Sequence, residues 1–147
     1  MLTKEELRIG NYIIGKDVNG HRDINQRVLE LSQDGIAVSP FSVVATGRGF
    51  ELVQETGTDR PLLYGWAKGI PIDTNWLKEF GFTAGPHEYG DFSKSGFSFK
   101  FQVGQCYFVV DQNKISRPLK FIHELQNLFA DLSGELLELP DGKTKPS

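Results

Sequence analysis

The chain has 147 residues, a net charge of −3 and a single cysteine. Its composition, 39% hydrophobic, 12% aromatic and 24% charged, suits a folded globular protein and excludes a disordered one. The acidic balance offers no global basic face to duplex nucleic acid, and one cysteine excludes an internal disulfide and a cysteine-based zinc site.

The opening "MLTKEELRIG" lacks the apolar core of a signal peptide, and no run approaches membrane-spanning length. The expectation is a cytoplasmic protein that stays off the membrane. Thr3, with Glu6 three residues on, predicts a capped turn. "RIGNYIIG" reads as a first strand, and Asn19-Gly20 as a hairpin signal. "INQRVLELSQDGIAVS" reads as two strands about a turn at Ser32 to Gly35, and "RGFELVQ" as another strand. Short strands with Gly-rich turns predict a small barrel-like or curled antiparallel sheet over 1–69, with Glu55 to Lys68 less regular.

"IPIDTNWLKEFGF" predicts a short helix capped by Asp73 or Thr74. Gly81 should be its left-handed terminator, and Phe82 should fold back on Leu77. "TAGPHEYGDFSKSG" reads as a loop. In "FSFKFQVGQCYFVV", Phe97, Phe99, Phe101 and Val103 alternate with polar residues, and Gly104-Gln105 reads as a type II′ turn with Gly first. That register pairs Val103 with Cys106, Phe101 with Phe108 and Phe99 with Val110. It makes one face apolar and buries Cys106. Pro118 is expected just inside a last helix whose stripe is Leu119, Ile122, Leu125, Phe129 and Leu132. Gly134 should end it, with "ELLEL" as a final strand. The fold class is thus α+β: the β-rich half, then an antiparallel sheet with two helices over 70–140, then a flexible tail over 141–147. The halves are expected to form one compact unit.

Three motifs resemble a family of small uncharacterised proteins of Bacteroidetes and their phages and prophages. Leu7 to Asn11 match its LRIGN start. Ile70, Pro71, Trp76, Leu77, Gly81 and Phe82 match its IPxxxxWLxxFGF helix. His123, Leu125, Gln126, Asn127, Leu128, Leu132, Gly134, Glu135 and Leu137 match its KxxHxLQNLxxxLxGELL tail. The chain departs from the family pattern between Lys16 and Lys68 and in the loop after Phe82. The resemblance implies an architecture and a phage-linked setting, and carries no assigned activity.

Few residues suggest catalysis. His123 lacks a nucleophile motif or a second metal ligand at helical spacing. With Gln126 and Asn127 it is expected to flank the apolar stripe and hydrogen-bond nearby backbone. His21, His87 and His123 are too scattered to propose a metal site, and "TGRGFE" opens a strand, unlike a dinucleotide fingerprint. The chain is therefore read as a non-enzyme without cofactor. The aromatic and cationic residues of the irregular parts suggest a binding site: Arg48, Arg60, Tyr64 and Trp66 with Lys68, then His87, Tyr89 and Lys94, then Ser116, Arg117 and Lys120. Aromatic faces stack on bases, guanidinium groups clamp phosphates, and a helix N-terminus suits an anion. With the phage setting, these imply a host-defence antagonist that sequesters a nucleotide-type signalling molecule, in a homo-oligomer sharing a pocket. The alternative is a protein–protein adaptor or inhibitor of a host factor without a small ligand.

Overall fold

A computed structural model of the chain describes residues 2–17, 20–46, 49–54, 60–84, 91–102, 104–110 and 113–139; at 42–46, 49–54 and 60 it describes the backbone alone. The chain divides into two compact units, Met1–Ile70 with the segment from Glu138, and Pro71–Leu137. The expected boundary at 69/70 thus lies one residue from the observed one. The chain returns to the first unit at its end, whereas the sequence reading gave everything up to residue 140 to the second half.

The first unit opens with the expected turn. Glu6 Oε1 accepts from the N–H of Thr3 at 3.3 Å and from its hydroxyl at 3.1 Å, over a 3-10 helix at Lys4–Glu6. The strands are β1 (Tyr12–Lys16), β2 (Asp23–Leu31), β3 (Ile36–Thr46), β4 (Gly49–Gln54), β5 (Arg60–Leu62) and β6 (Ala67–Gly69). Their order is β4-β3-β2-β1-β6, and β5 also pairs with β3. Ile36 pairs with Leu31 and with Leu62, so β2 and β5 flank β3 on opposite sides. The five strands from β5 to β6 would set their edges ~19 Å apart if flat. Yet only Leu63–Trp66 connect those edges, and Tyr64–Trp66 are a 3-10 turn, which rises only ~2 Å per residue. The sheet has to curl, and it does. Its interior holds Leu2, Leu7, Ile13, Val28, Ile36, Val38, Leu62 and Ala67. A Cβ on Gly15 would lie 2.5 Å from Leu62 Cδ2, so glycine lets that side chain lie against β1 from across the curl. In the segment expected to be irregular, Glu55 to Lys68, the described part from Arg60 onward therefore carries the closure.

The LRIGN motif has a structural meaning here. Leu7 is buried, Gly10 has φ 95°, and the buried Asn11 side chain accepts from the N–H of Arg8 at 2.7 Å. Gly10 and Asn11 then bond to the backbone of Val28. The end of the chain is fastened to the same unit. The Tyr12 hydroxyl accepts from the N–H of Leu139 at 3.0 Å, and Arg27 meets Glu138 at 2.7 Å. The stretch Glu135 to Leu139, expected as a strand, lies outside any helix or strand.

In the second unit, α1 (Thr74–Glu79) is capped by Asp73, which accepts from the N–H of Trp76 at 2.9 Å. It ends as the sequence implies. Gly81 has φ 94°, and the N–H groups of Phe82 and Gly81 bond back to Leu77 and Lys78. The strands β7 (Thr83–Ala84), β8 (Asp91–Lys94), β9 (Phe97–Gln102), β10 (Gln105–Val110) and β11 (Asn113–Lys114) form a sheet in the order β11-β10-β9-β8-β7. The stretch read as a loop thus contributes two strands. The Ser95-Gly96 turn joining β8 to β9 has positive φ at both residues, the two-residue hairpin geometry.

The β9–β10 register differs from the expected one by two residues. Gln102 pairs with Gln105, Phe101 with Cys106 and Phe99 with Phe108, so Gly104 is the second turn residue. A two-residue shift keeps every side chain on its face, so Cys106 is still buried. Phe101, expected in the core, is only partly buried. The core forms around Phe99, which packs on Phe82 and Phe108 at centroid distances of 5.6 and 5.4 Å. Phe129 joins them from α2 (Ile122–Ser133), 5.7 Å from Phe82 and 5.8 Å from Phe97.

That helix starts four residues after Pro118, because the intervening backbone is committed elsewhere. Leu119 exchanges hydrogen bonds with Cys106 at 2.8 and 2.7 Å, and the Lys120 carbonyl accepts from Ile72. Glu124 then accepts from the N–H groups of Lys120 and Phe121, both at 3.0 Å, which fixes the helix start. Gly134 ends α2 with φ 77°.

Candidate ligand groove

Period-two alternation sorts the side chains of β2, β3 and β5. Leu31, Ile36 and Leu62 pair in one row and point into the curl. The next row, Glu30, Ala37 and Pro61, points out. Ala37, Pro61 and the neighbouring Gly35 are small, so they leave a depression. Leu63 and Trp66, presented by the 3-10 turn after β5, stand around it, with Ser32, Glu30 and Asp34 completing the lining. The groove encloses about 640 Å³. Leu63 is 57% exposed and Trp66 is 41% exposed, high values for large apolar side chains.

The turn that carries them is fixed from both sides. The Tyr64 hydroxyl donates to the Ser32 carbonyl at 2.6 Å. Ser32 in turn holds the β2–β3 turn, donating from Oγ to the Gly35 carbonyl at 3.0 Å and accepting from the Gly35 N–H at 3.2 Å. Desolvation, with the Glu5 charge nearby, raises the pKa of the Tyr64 phenol, which therefore stays a neutral donor. The Trp66 ring lies over Gly20, where an added Cβ would be 3.2 Å from Cη2. Asp23 is held below the usual carboxylate range by hydrogen bonds from Lys68 and Lys16.

Several of the expected binding residues have structural partners within their own unit. Tyr64 is a tether, so only Trp66 of the proposed aromatic pair faces the groove. Lys68 is engaged with Asp23 at 2.7 Å. Lys94, Arg117 and Lys120 belong to the other unit. Lys94 donates to the Phe80 carbonyl at 2.6 Å, where it finishes α1 as a cation at a helix C-terminus. Ser116 Oγ accepts from the Phe108 N–H at 2.9 Å. Arg117 and Lys120 are exposed, but the helix N-terminus beside them already holds the Glu124 carboxylate, which opposes an anion there. Arg48, His87 and Tyr89 lie outside the described residues, as does the side chain of Arg60. Of the tail polar group, Gln126 donates to the Leu137 carbonyl at 2.9 Å, and the buried His123 stacks on Phe121 with ring centroids 5.9 Å apart.

Glu30, Asp34, Ala37, Pro61 and Leu63 escaped the sequence reading, which searched for aromatics beside cations. A signal was present in "PLLYGW": adjacent leucines in an extended chain cannot both face inward. Among the described residues no group of three or more His, Cys, Asp or Glu side chains is placed to hold a metal, and no helix is long and apolar enough to cross a membrane.

Fold and groove together define a two-unit α+β protein with an open apolar recess on its curled-sheet unit. No protein-family model matches the chain, and neither does any curated protein or solved structure.

Proposed function

We propose that the chain is a non-catalytic binding protein of the adaptor type, which engages another protein through the groove beside Trp66. The observation that supports this is the pairing of two large exposed apolar side chains, Leu63 and Trp66, around a recess floored by Ala37 and Pro61. Clustered exposed apolar surface marks interaction sites, whereas scattered exposed leucines do not. The phage resemblance would make the partner a host factor. Immobilised wild-type chain and a Leu63→Asp variant, challenged with host extract, test the idea. A protein retained only by the wild type, then rebound in purified form with the same dependence on Leu63, is the expected result. Equal retention by both chains refutes it.

Nucleotide sequestration is the second reading, favoured by the exposed Trp66 indole, a stacking platform for a base. It is weakened by the two carboxylates that line the recess, because they repel phosphate. A chain that depletes a nucleotide from solution and releases it intact on denaturation would restore that reading. Release of a cleaved product would make the chain an enzyme.

A further inference from the structure

We infer that the groove's occupant is a polypeptide segment carrying a basic side chain, arginine above all, beside an apolar one; this rests on the adaptor reading above. The apolar half follows from Leu63, Trp66, Ala37 and Pro61. The basic half follows from the two carboxylates that line the recess. Glu30 and Asp34 meet no cation among the described residues, yet both line the apolar recess. A carboxylate beside apolar walls attracts a cation more strongly than one in open water, because less solvent screens the pair. Arginine suits the site twice over. Its planar face stacks on an indole such as Trp66, and its donor fork fits a carboxylate.

The open side of the groove selects a polypeptide over a small amine. Small-molecule sites enclose most of their ligand's surface, whereas this recess covers an occupant from below and leaves it exposed above. Affinity then has to come from several side chains in succession. Main-chain pairing on β5 is disfavoured as the mode, because Pro61 in its middle has no N–H to donate. Side chains therefore do the recognising.

A random dodecapeptide display library, panned on the full chain with Trp66→Ala as counter-selection, tests the inference. Enriched sequences are synthesised and titrated against the chain, with binding read from tryptophan fluorescence. The expected winners carry Arg or Lys close to an aromatic or branched aliphatic residue. Their affinity should fall at least about tenfold in Leu63→Asp, an exposed position where folding is undisturbed. It should fall about two- to fivefold when Glu30→Gln and Asp34→Asn are combined, with a flatter dependence on salt. Trp66-dependent winners that are uncharged or acidic would overturn the inference and leave the adaptor reading standing. An absence of Trp66-dependent winners would overturn both. Concentration-dependent self-association abolished by Leu63→Asp would assign the groove to a second copy of this chain and overturn the basic-segment inference.

Discussion

Phe99 and Phe101 differ by one step along the same strand face, and the structure assigns them different energies. Phe99 is fully buried and touches the rings of Phe82, Phe108 and Phe129. Phe101 is partly buried opposite Cys106. Truncating a buried phenylalanine costs about 3–5 kcal/mol through lost transfer energy and the cavity left behind. Edge and tilted ring pairs add about 0.5–1.5 kcal/mol each beyond area burial. Phe99→Ala is therefore expected near the top of that range and Phe101→Ala at about 1–2 kcal/mol. The register expected from the alternation puts both Phe99 and Phe101 in the core and predicts similar costs for the two. Urea unfolding in a Trp66→Phe background leaves Trp76 as the sole tryptophan, buried in the same unit 5.6 Å from Phe80. Its fluorescence then reports that unit without interference from the other. Equal shifts of the two midpoints, or a larger shift for Phe101→Ala, would refute the register and the packing drawn from it. A changed m-value would signal an altered unfolded or native state and call for a second probe.

Burial pushes the Cys106 thiol up to about 12, so native protein should label very slowly with a thiol reagent at pH 8. Because the folded pKa is raised from 9.0, its contribution to stability should be intact below pH 9 and lost as pH climbs through the window to about 12; Cys106→Ser should remove that alkaline loss from a pH series of urea midpoints. Gly134→Val should cost about 1–2 kcal/mol more than Gly134→Asn, since φ there is 77° and Asn tolerates that region; equal melting temperatures would remove the helix-cap reading. Tyr12→Phe should cost about 1–3 kcal/mol by leaving the buried N–H of Leu139 without its acceptor, checked by denaturation followed through Trp66 in a Trp76→Phe chain.

Much of the fold could be read locally. The Asp73 cap, the Gly81 and Gly134 terminators, the Thr3–Glu6 turn and the alternation around Phe99 are decided by residues within a few positions of one another. Such signals survive in a single sequence. The readings that failed depend on distant partners. Pro118 and Leu119 suit a helix start on local grounds, but Cys106 and Ile72 claim the neighbouring backbone groups. Within Glu55 to Lys68, the part from Arg60 onward looks irregular because each strand there is three residues long. Its pairing with β3 and β1 becomes visible only once the sheet has curled. The hairpin register slipped by two because alternation fixes which face a residue occupies and is blind to which even-numbered shift the turn selects.

The groove was the least legible feature, and the reason is chemical. A search for a phosphate site weights cations and aromatics, and the chain supplies both, yet their ordinary uses here are structural. Lys94 finishes α1, Lys68 neutralises Asp23, and Tyr64 ties one turn to another. What distinguishes the groove is the reverse pattern: small outward residues on neighbouring strands, two apolar side chains left outside by a tight turn, and two carboxylates with no cation among the described residues. None of these is unusual alone. Their coincidence depends on the pairing of Glu30 with Ala37 and of Ala37 with Pro61, contacts that join residues seven and twenty-four positions apart. The same closure that buries Leu62 against Gly15 pushes Leu63 outward one residue later, so the recess follows from how this small sheet completes its curl.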